Sequence, residues 1–212
     1  SNISNSKKLE TIMSKNKIDT VVHLAGNASV DANWDSLSVN NFTGTLNVFN
    51  ACKETGVKKI IFASSNHAVG LFENDNPYKE IINGKYKDVS KNYKLISPYC
   101  EVRPDSLYGV SKAFGENLGR FYYENYNIKV ACLRIGSVIK ENNPRVKNSN
   151  RFFSTWCSHD DIAGLIDACI KSNNIKYDIF YGVSDNDWKI WDITNIERIL
   201  SFKPTSNSET YR

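Results

Sequence analysis

Residues 58–67 read KKIIFASSNH: two lysines, four apolar residues, then small and polar ones. A short continuous apolar run of this kind is the pattern of a strand buried on both faces, as in a parallel sheet. Working outward, similar runs recur at 20–25, at 129–135 as KVACLRI, and at roughly 177–183. Between them lie helical patterns. Leu9, Ile12 and Met13 are spaced for one helix over 7–17, a second is predicted over about 35–53, and a third begins near Tyr108. A helix over 159–171 and a short one around 193–200 complete the series. Alternating helices and apolar strands predict an α/β fold with a doubly wound parallel sheet. The polar, lysine-rich stretch 73–97 lacks a strong period and is predicted to be an inserted surface loop with some helix.

With 212 residues, 41% hydrophobic and 12% aromatic, the chain can bury one sizeable core. No apolar run approaches the roughly 20 residues that span a bilayer, and the start SNISNSKKLE has no secretory pattern. The expected compartment is the cytoplasm, with no membrane partner. The five cysteines include no C-x-x-C pair and are expected to be reduced and mostly buried. A net charge of +4, from 27 basic and 23 acidic residues spread along the chain, argues against nucleic acid as the main partner.

Ligands of open parallel sheets bind beyond the carboxyl ends of the strands. Those ends carry Gly26, then Ser64, Ser65, Asn66 and His67, then Gly136 and Ser137. Tyr108 and Lys112 stand four apart on a predicted helix and so share a face. An ammonium near a phenol is expected to lower its pKa toward neutrality and make it a general base. The chain has 11 tyrosines, so this pair alone carries little weight. It gains meaning from Ser65, whose hydroxyl ends the preceding strand and could hydrogen-bond a reacting oxygen. His23 is read as a structural residue inside its strand. The run HDD at 159–161 is read as a helix cap, with no metal site expected.

Taken together, VVHLAG at 21–26, N-x-x-G-T at 41–45, SSNHAVG at 64–70, YGVSKAFGE at 108–116 and LRIGS at 133–137 resemble the extended short-chain dehydrogenases/reductases, the NAD-dependent epimerase/dehydratase family. RPDSLYGVSK at 103–112, RFFSTWCSHDD at 151–161 and FYGVSDND at 180–187 narrow the resemblance to the uronate dehydrogenases. The resemblance implies a Rossmann-like sheet, NAD as cofactor, and oxidation of the anomeric carbon of a sugar acid to an aldarolactone. It implies Tyr108 as base, Lys112 as its partner and ribose anchor, and Ser65 as a donor to the reacting oxygen. Cofactor contacts fall on Ala25, Gly26, Asn27, Ser64, Tyr108, Lys112 and Ile135, and substrate contacts on Ser65, Asn66, His67, Ser137 and Arg151. Arg145 is the rival of Arg151 for a substrate carboxylate.

The family pattern opens with a strand, a Gly-rich turn and a helix; no G-x-x-G-x-x-G can be placed in this chain. The expected fold is therefore a single domain over 1–212 lacking the first βαβ segment. Residues 1–137 would be the remaining cofactor-binding core, and 138–212 a small substrate-binding region. The strand at 20–25 should then be an apolar edge that is covered or that associates, for example in a homo-oligomer. Two rival readings are a nucleotide-sugar epimerase or neutral or phosphorylated aldose dehydrogenase of the same family, and a non-catalytic remnant that no longer binds the dinucleotide.

Overall fold

The structure is a computed structural model that describes residues 2–212. Helix α1 (Ser6–Lys15) leads into strand β1 (Thr20–His23). A helical run follows, made of α2 (Trp34–Leu37), one π-helical segment (Ser38–Thr43) and α3 (Gly44–Thr55), before strand β2 (Lys59–Ser65). After α4 (Tyr78–Ile82) comes the long helix α5 (Leu107–Tyr126), then β3 (Lys129–Ile135). The chain closes with α6 (Arg151–Thr155), α7 (His159–Lys171), β4 (Tyr177–Gly182) and α8 (Thr194–Leu200).

The four strands pair in the order β1-β2-β3-β4, all parallel, with Ser65 beside Ile135 and Ile135 beside Gly182. This is the predicted Rossmann-like architecture. Alternate residues of each strand face opposite layers. Ile60, Phe62, Val130 and Cys132 pack with Leu9, Met13, Phe49 and Tyr122 of α1, α3 and α5. Ile61, Ala131, Leu133 and Phe180 pack with Leu165, Cys169, Ile196 and Leu200 of α7 and α8. Both layers account for the continuous apolar runs at 60–63 in β2 and 130–133 in β3. Strand β1 pairs with β2 alone and is an edge, as expected, although it ends at His23 and not at Ala25.

Helix boundaries follow from local chemistry. The Ser106 hydroxyl accepts from the N–H of Gly109 at 3.0 Å to start α5, and Asn127 ends it in the left-handed conformation with φ 54°. Ser158 caps α7 through the N–H of Asp161 at 3.0 Å, and Asp160 and Asp161 sit in the first turn, where carboxylates favour the helix dipole. Gly115 lets α5 lie close on the sheet, since a Cβ there would overlap the ring of Phe62.

One expectation is corrected. Residues 73–97 are not a surface loop: Ile81 is fully buried, Val89 and Ile96 belong to the core, and Ile96 bridges to Trp191. Its few apolar residues pack on segments distant in sequence, so no local period reveals them. Among the described residues, no helix is long and apolar enough to cross a membrane.

Candidate active site

The ends of β2 and β3 open into a cleft of about 540 Å³, lined by Ser64, Ser65, Asn66, His67, Tyr108, Lys112, Ile135, Gly136 and Ser137. Leu24, Ala28, Ala63, Lys140, Lys147 and Phe152 also line it. Of the residues proposed from sequence, Ala25, Gly26 and Asn27 border an adjoining hollow with Asn40. Arg151 lies behind Asn66, and neither it nor the exposed Arg145 lines the cleft.

Tyr108 is placed by a relay that begins in the N-x-x-G-T motif. The side chain of Asn41 accepts from the N–H of Asn27 at 2.7 Å and donates to its carbonyl at 2.9 Å. The same amide donates to Ser111 Oγ at 3.0 Å, and Ser111 donates to the carbonyl of Tyr108 at 2.7 Å. The turn after β1 and the first turn of α5 are thereby held in one unit. Gly109 completes the approach, because a Cβ there would overlap the carbonyl oxygen of His67.

The electrostatics differ from the expectation. Burial raises the Tyr108 pKa above its ordinary value, and a hydrogen bond with Ser65 only partly opposes this. The Lys112 Nζ lies 5.4 Å from the centre of the Tyr108 ring and donates to the carbonyl of Ala63 at 2.8 Å. Burial pushes the Lys112 pKa down to about 8. In this geometry the ammonium faces the ring and the strand end, so it does not by itself make the phenol acidic. Among the described residues, Ala63 provides its one hydrogen-bond acceptor, which leaves two N–H donors unspent in a buried place. A ribose diol suits that gap, and the cleft fits the nicotinamide-ribose end of a dinucleotide.

The other residues have firm partners. His67 Nδ1 lies 2.7 Å from Asp105 Oδ2, and its ring meets that of Tyr108 edge-on at 5.8 Å. Burial works against the charge of Asp105, but His67 and Ser106 outweigh it and hold the carboxyl below its usual range. A proton on Nδ1 leaves Nε2 free as an acceptor. Ser64 donates to Glu116 Oε1 at 2.6 Å, and Glu116 holds Arg134 in a fully buried bidentate pair at 2.9 and 2.8 Å. Ser137 shares a 2.7 Å hydrogen bond with Thr155. Asn66, its amide oriented to satisfy both ends, donates to the carbonyl of Ile135 at 3.1 Å and accepts from Arg151 Nη2 at 2.9 Å. Arg151 gives its Nε and Nη2 to Glu73 at 2.6 and 2.8 Å. The fork expected to hold a substrate carboxylate is thus closed on a carboxylate of the chain itself.

Sequence reasoning overlooked Asn41, Asp105, Ser111, Glu116 and Glu73. Asn41, Asp105, Ser111 and Glu116 lie inside motifs quoted above, where the motif positions were the available signal. Glu73 carried none, being one acid at the start of a polar stretch.

A parallel sheet whose strand ends gather a hydroxyl, a phenol and an ammonium around such a cleft is the layout of a dinucleotide-dependent α/β enzyme. Residues 1–159 match the NAD dependent epimerase/dehydratase family. An NAD-dependent glucose-6-phosphate dehydrogenase of Haloferax volcanii is 37% identical over 92% of this chain and 71% of its own length. A uronate dehydrogenase of Agrobacterium fabrum is 36% identical over 92% of this chain and 64% of its own length. The solved structure of a uronate dehydrogenase mutant from Agrobacterium tumefaciens, complexed with NAD, superposes with a TM-score of 0.80 at 31% identity, covering 100% of this chain and 70% of that one. The chain belongs to the NAD-dependent epimerase/dehydratase family, whose cofactor is NAD. It spans about two thirds of the length of these relatives.

Proposed function

We propose that this protein is an NAD-dependent sugar dehydrogenase that oxidises the anomeric carbon of an anionic aldose. What carries the reading is the convergence of Ser65, Tyr108 and Lys112 on one cleft at the carboxyl ends of β2 and β3. Tyr108 takes the proton of the anomeric hydroxyl as the base. Ser65 donates to the same oxygen and fixes its distance from the phenol. Lys112 would hold the ribose hydroxyls with the donors that Ala63 leaves free. When bound, NAD supplies the hydride acceptor and a positive charge that favours the phenolate. Asn66, His67 through Nε2, and Ser137 offer groups to the sugar hydroxyls. Residues 1–137 carry the cofactor contacts together with these sugar contacts, and 138–212 supply the loop and helices that complete the sugar side.

A uronate, oxidised to an aldarolactone, is the substrate that the similarity to uronate dehydrogenases supports. A phosphorylated aldose is the second reading, and a specific observation favours it: the guanidinium of Arg151 is committed to Glu73. The test is oxidation followed by absorbance of reduced cofactor. Tyr108→Phe should lower kcat by about 10²–10⁴-fold while calorimetric NAD binding stays within a fewfold of wild type. An undiminished rate would exclude the phenol as base.

A further inference from the structure

Glu73 lies in the last of the helical turns that follow β2 (Asn66–Asn74), and its side chain is only 10% exposed. Both of its oxygens receive Arg151, so the side-on fork of that guanidinium has no room for a second carboxylate. An incoming carboxylate would also face the negative charge of Glu73. Arg151 instead orients Asn66, which stands between it and the cleft. Apart from Lys112, the ammonium groups lining the cleft among the described residues are those of Lys140 and Lys147. Both lie in the segment that follows β3 and Ser137 in sequence. Ammonium groups are compact charges with rotatable donors, which suit a tetrahedral dianion better than they suit planar, two-point recognition.

We infer that Glu73 determines specificity: by holding Arg151 it withdraws the carboxylate-binding fork and leaves Lys140 and Lys147 as a subsite for a phosphate ester at the far end of the sugar. This rests on the proposed oxidation at the anomeric carbon, which puts C1 at Tyr108 and the opposite end of the sugar toward these lysines.

Three substrates that differ only at C6 test it: an aldohexose 6-phosphate, the matching hexuronate and the neutral aldohexose. The phosphate should have the highest kcat/KM, exceeding the hexuronate by about tenfold or more, the worth of one charge-assisted hydrogen bond. The double variant K140Q/K147Q should remove that advantage, lowering kcat/KM for the phosphate by about tenfold more than for the neutral sugar. Glu73→Gln should raise kcat/KM for the hexuronate by about tenfold, a gain that loss of structure could not produce. A wild-type preference for the hexuronate, or an unchanged phosphate preference in the lysine variant, would overturn the inference. Should none of the three be oxidised, the anomeric reading fails on its own, and calorimetry still decides the subsite. Binding of the hexose phosphate that inorganic phosphate competes away and K140Q/K147Q abolishes supports it; absent or unaltered binding refutes it. Both lysines are exposed, so this arm stands even if Glu73→Gln does not fold.

Discussion

Replacing Lys112 by methionine is expected to stabilise the protein near neutral pH. Burial lowers the Lys112 pKa from 10.5 to about 8, so the folded state holds the ammonium less willingly than the unfolded chain does. A gap of about two and a half pH units, at about 1.4 kcal/mol each, puts the cost of keeping the charge at roughly 3 kcal/mol. Methionine refills the aliphatic part of the space but leaves the carbonyl of Ala63 without its donor, a loss of about 1 kcal/mol. The net gain is then about 2 kcal/mol. Between pH 8 and 10.5 the unfolded chain binds more protons than the folded one, so wild-type stability rises with pH across that window. The advantage of Lys112→Met should be complete below about pH 8 and disappear toward pH 10.5. Urea unfolding at several pH values measures this directly. A variant that is less stable near neutrality, or a gap that does not close with rising pH, would show that the ammonium is not held against its solvation.

Two further predictions concern buried charge. His23 is neutral when folded, its pKa lowered to about 4 by burial and by Lys112, while in the unfolded chain it protonates near 6.5. Stability should therefore fall as pH drops from about 6.5 to 4, by up to roughly 3 kcal/mol, and His23→Gln should flatten that slope in pH-dependent thermal unfolding. Glu116→Ala would leave Arg134 buried without its partner, a loss of about 3–5 kcal/mol. A second change, Arg134→Met, should restore most of the loss; a fall below about 1 kcal/mol in the single variant would show that the pair is solvated.

The strands were legible because β2 and β3 are buried on both faces and carry unbroken apolar runs at 60–63 and 130–133; 129–135 coincides with the observed β3, and 159–171 with α7. The cap at Ser158 and the two aspartates after it gave that helix a readable start. The segment 73–97 was misread because Ile81, Val89 and Ile96 follow no regular spacing and have partners, such as Trp191, about a hundred positions away. The helix predicted over 35–53 is helical throughout this range, but nothing in its composition announced the wider π turns at 38–43. In the site, motifs located Ser65, Tyr108 and Lys112 at one cleft. The state of those groups was hidden, since the pKa of a phenol depends on its burial and on where the ammonium points, both of which are tertiary facts. Arg151 illustrates the same limit: its position in sequence was a sound guide to its neighbourhood, but its partner Glu73 was not.

The π segment at 38–43 constrains how this enzyme can vary. It inserts one residue's worth of slack into a helix that would otherwise advance by about 100° per residue, and Asn41 sits within it, bridging Asn27 to Ser111. Deleting one residue there would give a more regular helix whose amide points away from both neighbours. Homologous chains that keep the relay should therefore tolerate point substitutions along this helix far better than a single-residue gap.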